Sequence, residues 1–381
     1  MKSLFKNPMF RFLAVLTIAS TAGLQGWRTL FNNFAVEAAH LNGDHIGWIQ
    51  AVREIPGFLA LLAIFVMMFV KEHKLSAISI LVLGLGVLLT GFFPSFLGLA
   101  LTTLLMSFGF HYYETTNQSL TLQYFDQKTS PYVFGKLRSL AAASNIAIGA
   151  LIFGMTFFLS YTNMYVLVGV MSIAAGLWGI LQDPTDKDLI PQRKRLIFKR
   201  KYGLFYFLTF MAGARRQIFV AFSVFLMVKN FHFSVQEITV LFIINNLVNY
   251  FLSPIIGKAI LLFGERRVLS LEYFAMIFIF IGYAVTQSKV VLMGLYILDH
   301  IFFNFSIAIR TFFQKIGEPQ DIAPSMAVGF TINHIAAVVI PAFGGLLWMV
   351  DYRIPFIGAA LLSIISLIAT QWIRPAPTVV N

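Results

Sequence analysis

The sequence predicts an all-α polytopic membrane protein, with twelve transmembrane helices in two six-helix, pseudo-symmetric bundles. Three observations carry this. First, 58% of the residues are hydrophobic and 12% charged, at a mean hydropathy of +0.80. Soluble chains hold about 25% charged residues, and so little polar surface does not cover a core. Second, twelve stretches are apolar over the ~20 residues that a spanning helix needs. They are 9–35, 46–70, 75–93, 96–124, 137–160, 163–182, 202–228, 235–263, 268–287, 290–314, 324–349 and 354–373. Third, a charged segment with two prolines, DPTDKDLIPQRKRLIFKRKY (Asp183–Tyr202), separates them six and six.

Each element has its own signal. The first span follows a basic lead, MKSLFKNPMFRF, and stays apolar through Phe34 without a small-residue cleavage pattern. It reads as a retained span, not a signal peptide. The short loop FVKEHKL joins spans two and three. The fourth span carries HYYETTNQ (His111–Gln118) and the fifth carries SNIAIGALIFG. The seventh, FLTFMAGARRQIFVAFSVFL, holds Arg215 and Arg216 side by side at its centre. GKAILLFGERR (Gly257–Arg267) connects the eighth and ninth, the tenth contains LDHIFFN, and the eleventh contains PAFGG (Pro341–Gly345).

Charge orients these spans. With the N-terminus in the cytoplasm, 21 lysines and arginines fall in inner loops and ends, three in outer loops, and four inside spans (Arg28, Arg53, Arg215 and Arg216). The positive-inside rule then places both termini in the cytoplasm. The predicted organisation is a six-helix bundle over 1–182, a basic cytoplasmic linker over 183–201 and a second bundle over 202–381. The linker is expected to be solvated, its basic part against anionic headgroups. Short loops and helical patterning point to a bacterial inner membrane.

The same counts exclude several classes. No cysteine is present, so disulfides, thiolate metal sites and thiol redox chemistry are ruled out. The net charge of +12 lies in short loops, with no basic face to track a phosphate backbone, so nucleic acid is not an expected partner. LGLGVL (Leu83–Leu88) lies inside a span with no following Lys-Ser/Thr, so it is no phosphate loop, and no Ser/His/Asp order is legible. An enzyme is not expected, and no cofactor. The expected partners are a small-molecule substrate, protons and membrane lipid, with the chain a monomer.

The halves are related. WRTLFNNFAV (Trp27–Val36) matches RRQIFVAFSV (Arg215–Val224) at an offset of 188, and NQSLTLQ (Asn117–Gln123) matches NFSIAIR (Asn304–Arg310) at 187. Pro131 and Pro319, and Asn145 and Asn333, also stand 188 apart. Matches at one offset in equivalent spans indicate an internal duplication, and parallel six-helix halves are one large transporter architecture.

With twelve spans, a 6+6 division and a basic central loop, the whole chain resembles the major facilitator superfamily. Gly257–Arg267 resembles the family's loop signature. It keeps Gly257 and Gly264, seven apart, and the basic pair Arg266 and Arg267, but has Leu261 where an aspartate is expected. PAFGG, with Pro341, resembles the family's bending helices. SNIAIGALIFG lacks the proline of the antiporter pattern. The resemblance implies alternating access, with spans one, four, seven and ten of the chain lining a central path.

The polar residues inside spans gather on those helices. Gln25, Arg28 and Asn32 follow helical spacing on span one; His111, Glu114 and Gln118 do so on span four, beside Tyr113. Span seven supplies Arg216 and Gln217, span eight Asn245 and Asn249, and span ten Asp299, His300 and Asn304. Charge at bilayer depth costs roughly 3 kcal/mol on insertion scales, so it faces a wet cavity or a partner. Adjacent helical residues point about 100° apart. Arg216, the repeat partner of Arg28, is therefore assigned to the path, and Arg215 to a carboxylate or helix end, with Glu54, Glu114 and Asp299 as the available acids.

The expected function is secondary transport of a small organic anion or amphipathic metabolite, coupled to protons. Arg28, Gln25, Asn32, Tyr113, Arg216, Gln217, Asn245, Asn249 and Asn304 would bind substrate. Glu114, Asp299 and His300 would carry the proton, and Gly257, Gly264, Arg266, Arg267 and Pro341 would serve gating. One alternative is a divalent-metal or drug exporter, with His111, Glu114, Asp299, His300 and His334 as metal ligands. Another is a non-transporting receptor or scaffold.

Overall fold

The structure is a computed structural model that describes residues 4–41, 43–185, 190–233 and 235–374. Among the described residues the chain is helical and contains no strand. Its helices are α1 (Pro8–Glu37), α2 (Gly43–Phe58, continued by Leu59–Leu62 and Ala63–Val66), α3 (Glu72–Thr90), α4 (Phe96–Tyr124), α5 (Ser130–Met155) and α6 (Tyr161–Leu181). There follow α7 (Gly203–Ile218, continued through Phe219–Ser223 to Val224–Phe231), then α8 and α9, the two parts of Val235–Val285 on either side of Gly264. The last are α10 (Lys289–Phe303, continued through Asn304–Ser306 to Ile307–Ile316), α11 (Ile322–Val350) and α12 (Arg353–Thr370).

Local chemistry sets these boundaries. Asn7 accepts the amide of Phe10 at 3.0 Å and Pro8 opens α1, the positions each favours at a helix start. Ser160 and Ser288 cap α6 and α10 in the same way. In α2, Pro56 is followed by a tighter turn at Leu59–Leu62. The amide of Leu61 there donates to Thr331 Oγ1 at 3.0 Å, so a broken ladder keeps its partner.

The fifth span needs correction. It was expected from residue 137, after a proline and a lysine, but α5 begins at Ser130. Pro131 occupies the first turn, where a missing N–H costs nothing. Arg138, expected in a loop, therefore lies inside a membrane helix.

A 51-residue helix at Val235–Val285 would reach about 76 Å if straight, far beyond a ~30 Å hydrocarbon layer. Gly264 divides it, with φ 77° and ψ 161°, a region open essentially to glycine alone. A Cβ at Gly264 would meet nothing within 4 Å. Gly264→Ala is therefore expected to destabilise the protein by about 1–3 kcal/mol through backbone strain alone, lowering the midpoint of thermal unfolding. Gly358→Ala, in open space on the helical α12, is the control that does not.

The described residues form two compact units. One comprises 1–124, 140–197 and 319–331, and the other 125–139, 198–318 and 332–381. In the first, Trp27, Phe31, Leu83, Met106, Tyr165 and Val168 build the core. The helices approach closely there: a Cβ on Gly86 would lie 2.4 Å from the backbone nitrogen of Met106. Small residues at such crossings suit helices that pack without a hydrophobic drive. In the second unit, Phe219, Phe222, Phe280, Tyr283, Trp348 and Phe356 build the core. α5 meets α8 at Gly257, where a Cβ would lie 2.4 Å from Pro131 O.

The linker is less solvated than expected. Arg193 pairs with the buried Asp321 at 2.6 Å, and its amide donates to Gln320 O. Gln192 accepts the amide of Ala323 at 3.0 Å, supplying a partner to the start of α11. The Thr185 hydroxyl and amide hold the Asp183 carboxylate below the usual carboxylate range.

Candidate functional site

The polar residues of the second unit build its site around the adjacent arginines of α7. Arg215 is 3% exposed, while Arg216 is exposed, the divergence that a 100° step produces. Three groups hold Arg215. Its Nη2 lies 3.7 Å from Glu272 Oε1, its Nη1 donates to Ser366 Oγ, and its guanidinium stacks 4.3 Å from the Tyr273 ring centroid. The expected counter-ion for Arg215 was Glu54, Glu114 or Asp299. The one found is Glu272 on α9, itself 2% exposed.

Arg216 lies over the Phe303 ring of α10 at 5.4 Å, and Arg138 lies over the same ring at 5.6 Å. Arg138 also acts electrostatically on Glu272 and His300. Next along α10, His300 Nε2 is 2.7 Å from Asn249 Nδ2, and Asn304 Nδ2 donates to Asn249 Oδ1 at 2.5 Å and to His300 O at 2.8 Å. Because the Asn249 oxygen accepts from Asn304, its nitrogen faces the imidazole and must donate to it, so Nε2 is the acceptor. Asn249, His300 and Asn304 thus form one connected unit.

Asp299, one residue earlier, is 1% exposed, and its Oδ2 has no hydrogen-bond partner among the described residues. Asn245 is 3% exposed with its Oδ1 in the same condition. Gln217 is half-buried.

Helix irregularities frame this region. α7 passes through a π turn at Phe219–Ser223, just beyond Arg216. α10 tightens to a 3-10 turn at Asn304–Ser306, beginning at a site residue. Such breaks free backbone groups and are frequent at functional positions.

Gly257, inside α8, is the close approach, and Gly264 is the turn from α8 into α9 described above. Arg266 donates to Gln371 Oε1 at 2.9 Å, Arg267 is exposed, and Glu265 pairs with Lys315 at 2.6 Å. Pro341 falls within α11, and its side chain lies outside the described residues. His334, also on α11, is buried.

In the first unit, Arg28 and Asn32 are exposed on α1 and Gln25 is half-buried, its amide donating to Thr29 Oγ1 at 3.3 Å. On α4, Glu114 is half-buried, while Tyr113 is fully buried and bonded to Thr17 Oγ1 at 2.8 Å. His111 is buried, with Nδ1 2.9 Å from Ser107 Oγ. Arg53 and Glu54 pair with each other at 2.8 Å.

Residues 204–381 match the family model described as the Major Facilitator Superfamily. No curated protein sequence matches the chain. Among solved structures, it resembles the Escherichia coli fucose:proton symporter FucP at 11% identity and a TM-score of 0.77, over 96% of this chain and 98% of that one. It resembles the human organic anion transporter MFSD10 (TETRAN) at 10% identity and 0.77, over 96% and 99%. It also resembles a bacterial homologue of the iron transporter ferroportin, in an outward-facing state, at 13% identity and 0.78, over 95% and 98%. At these identities the likeness shows the fold alone.

Proposed function

We propose, from the premise that this chain belongs to the Major Facilitator Superfamily, that it carries a small organic anion or amphipathic metabolite across the membrane by alternating access, coupled to protons. The observation that supports the anion is the exposed Arg216 at mid-span on α7. A permanent cation does not face hydrocarbon, so its exposed surface meets water or a guest. Arg28 on α1, its repeat partner, is exposed in the same way. A guanidinium presents two parallel donors to a carboxylate or phosphate. Asn249, Asn304 and Gln217 add polar groups for orientation, and Glu114, Asp299 and His300 are the proton carriers in this reading.

The solved relatives are named for a sugar, an organic anion and iron, so the cargo rests on the residues. In this reading the carrier works by alternating access, with both termini in the cytoplasm of a bacterial cell. The test is a thermal-shift screen of the purified protein against organic anions, drugs and divalent metals at two pH values. Stabilisation by organic anions that changes with pH is expected. Stabilisation by metals alone would overturn the anion.

A further inference from the structure

We propose that the cavity between the α2–α3 turn, the end of α4 and the linker binds a free zwitterion: a small α-amino acid with an apolar side chain, its ammonium group on Glu72 and its carboxylate at Lys71 and Lys194. The cavity holds about 480 Å3, within the ~300–1,000 Å3 of small-molecule sites. It shares no residue with the substrate path proposed above, and the inference does not rest on that reading. Its walls are tied down. Lys194 Nζ donates to Met68 O at 3.0 Å, joining the linker to the α2–α3 turn. Gln192 is held at both ends, donating to Pro319 O at 2.8 Å and accepting the amide of Ala323. Arg193 is engaged at Asp321.

The acid is the observation that points to a ligand. Glu72 opens α3, and a carboxylate in the first turn suits the helix dipole. That explains its charge but not the placement of its oxygens. Oε2 accepts from Gln123 Nε2 at 2.7 Å. The other hydrogen of that amide goes to Ser119 Oγ at 2.7 Å, so Gln123 has no donor left. Oε1 is buried and has no hydrogen-bond partner among the described residues. A carboxylate oxygen withdrawn from water without a donor is costly, and an ammonium entering the cavity supplies one. His73 also lines the cavity and is 1% exposed. Its Nε2 likewise lacks a hydrogen bond among the described residues, with Asp183 Oδ1 3.8 Å away.

The opposite charge decides the class. Lys71 and Lys194 are exposed and line the same cavity. An ammonium carries three donors, so Lys194 has donors to spare beyond Met68. A lone anion would be drawn to the lysines but repelled by Glu72, and a lone amine would face the reverse. A zwitterion meets both signs correctly, while like-charge juxtaposition rejects either half alone. Met67, Met68, Tyr124 and Ile190 give the cavity apolar walls, which suit an aliphatic or aromatic side chain. Seated there, the ligand ties the linker to the start of α3, both within the first unit.

The test is thermal unfolding of the purified full chain with L-phenylalanine and L-leucine, beside N-acetylphenylalanine, which lacks the ammonium, and phenethylamine, which lacks the carboxylate. A saturable rise in midpoint with the amino acids, and none with either half-molecule, is expected. Glu72→Gln keeps the size and an oxygen for Gln123, and is expected to weaken binding at least ~30-fold, the lower end for losing one partner of a buried charge pair. Lys71→Glu, at an exposed position where folding tolerates change, is expected to weaken it as well. Arg216→Ala is expected to leave it unchanged. No rise with either amino acid, an equal rise with a half-molecule, or a response that survives both Glu72→Gln and Lys71→Glu would overturn the proposal. So would a response lost in Arg216→Ala alone, which would place the amino acid in the substrate path. A rise given only by phosphatidylethanolamine vesicles would mean a lipid headgroup and overturn it too. Silence of organic anions in the screen above, with the amino-acid response intact, would sink the proposed cargo and leave this site standing.

Discussion

Arg215→Ala is expected to cost about 3–5 kcal/mol of stability, the range for removing one partner of a buried ion pair. The guanidinium is sealed, and its loss leaves the Glu272 carboxylate in a dry setting with Oε2 already unbonded. The contact with Tyr273 at 4.3 Å and the hydrogen bond to Ser366 go with it, and a desolvated cation–aromatic contact is worth about 2 kcal/mol. The double variant Arg215→Leu with Glu272→Leu is expected to recover most of the loss, because apolar replacement of a whole buried pair is close to neutral. The measurement is thermal unfolding in detergent, followed by the fluorescence of the five tryptophans, since the chain has no cysteine for a thiol dye. A single variant as stable as the wild type, or a double variant no better than the single, would show that the pair does not hold α7 to α9.

The divergence of the two arginines was legible from the sequence, because helix geometry alone sends neighbours to different faces. The identity of the partner was not. Glu272 interrupts an apolar run, LSLEYFAM, and that interruption is the available signal. Arg138 was hidden because the apolar run of the fifth span starts only near it, whereas the helix opens at Ser130 with Pro131 in its first turn. The π turn at Phe219–Ser223 had no signal at all, since FVAFS contains neither proline nor glycine. Nor was the burial of Tyr113 legible. α4 is rich in apolar residues on every face, so periodicity does not say which side of the helix meets lipid, protein or water. The number of crossings and the break at Gly264 were readable for the opposite reason: apolar run length and glycine are local properties.

Arg216→Ala is expected to leave stability within about 0.5 kcal/mol of wild type, the usual range for an exposed position, and to weaken binding of an organic anion at least 30-fold. That factor corresponds to about 2 kcal/mol, the lower end for truncating one partner of a hydrogen-bonded charge pair. The contrast with Arg215 is the informative part. The two residues are adjacent, equally charged and equally far along α7, so a difference between them reports exposure and partners alone. Arg216→Lys retains the charge over Phe303 but loses the two-pronged donor, and is expected to fall between wild type and alanine. The measurement pairs thermal unfolding without ligand against anion-induced stabilisation across a concentration series, using the strongest anion from the screen. If Arg216→Ala unfolds as readily as Arg215→Ala, then Arg216 is a structural cation with Arg138 at the Phe303 ring. If its anion response is unchanged, the guest is held elsewhere, and Arg28 with its neighbours Gln25 and Asn32 on α1 becomes the place to look.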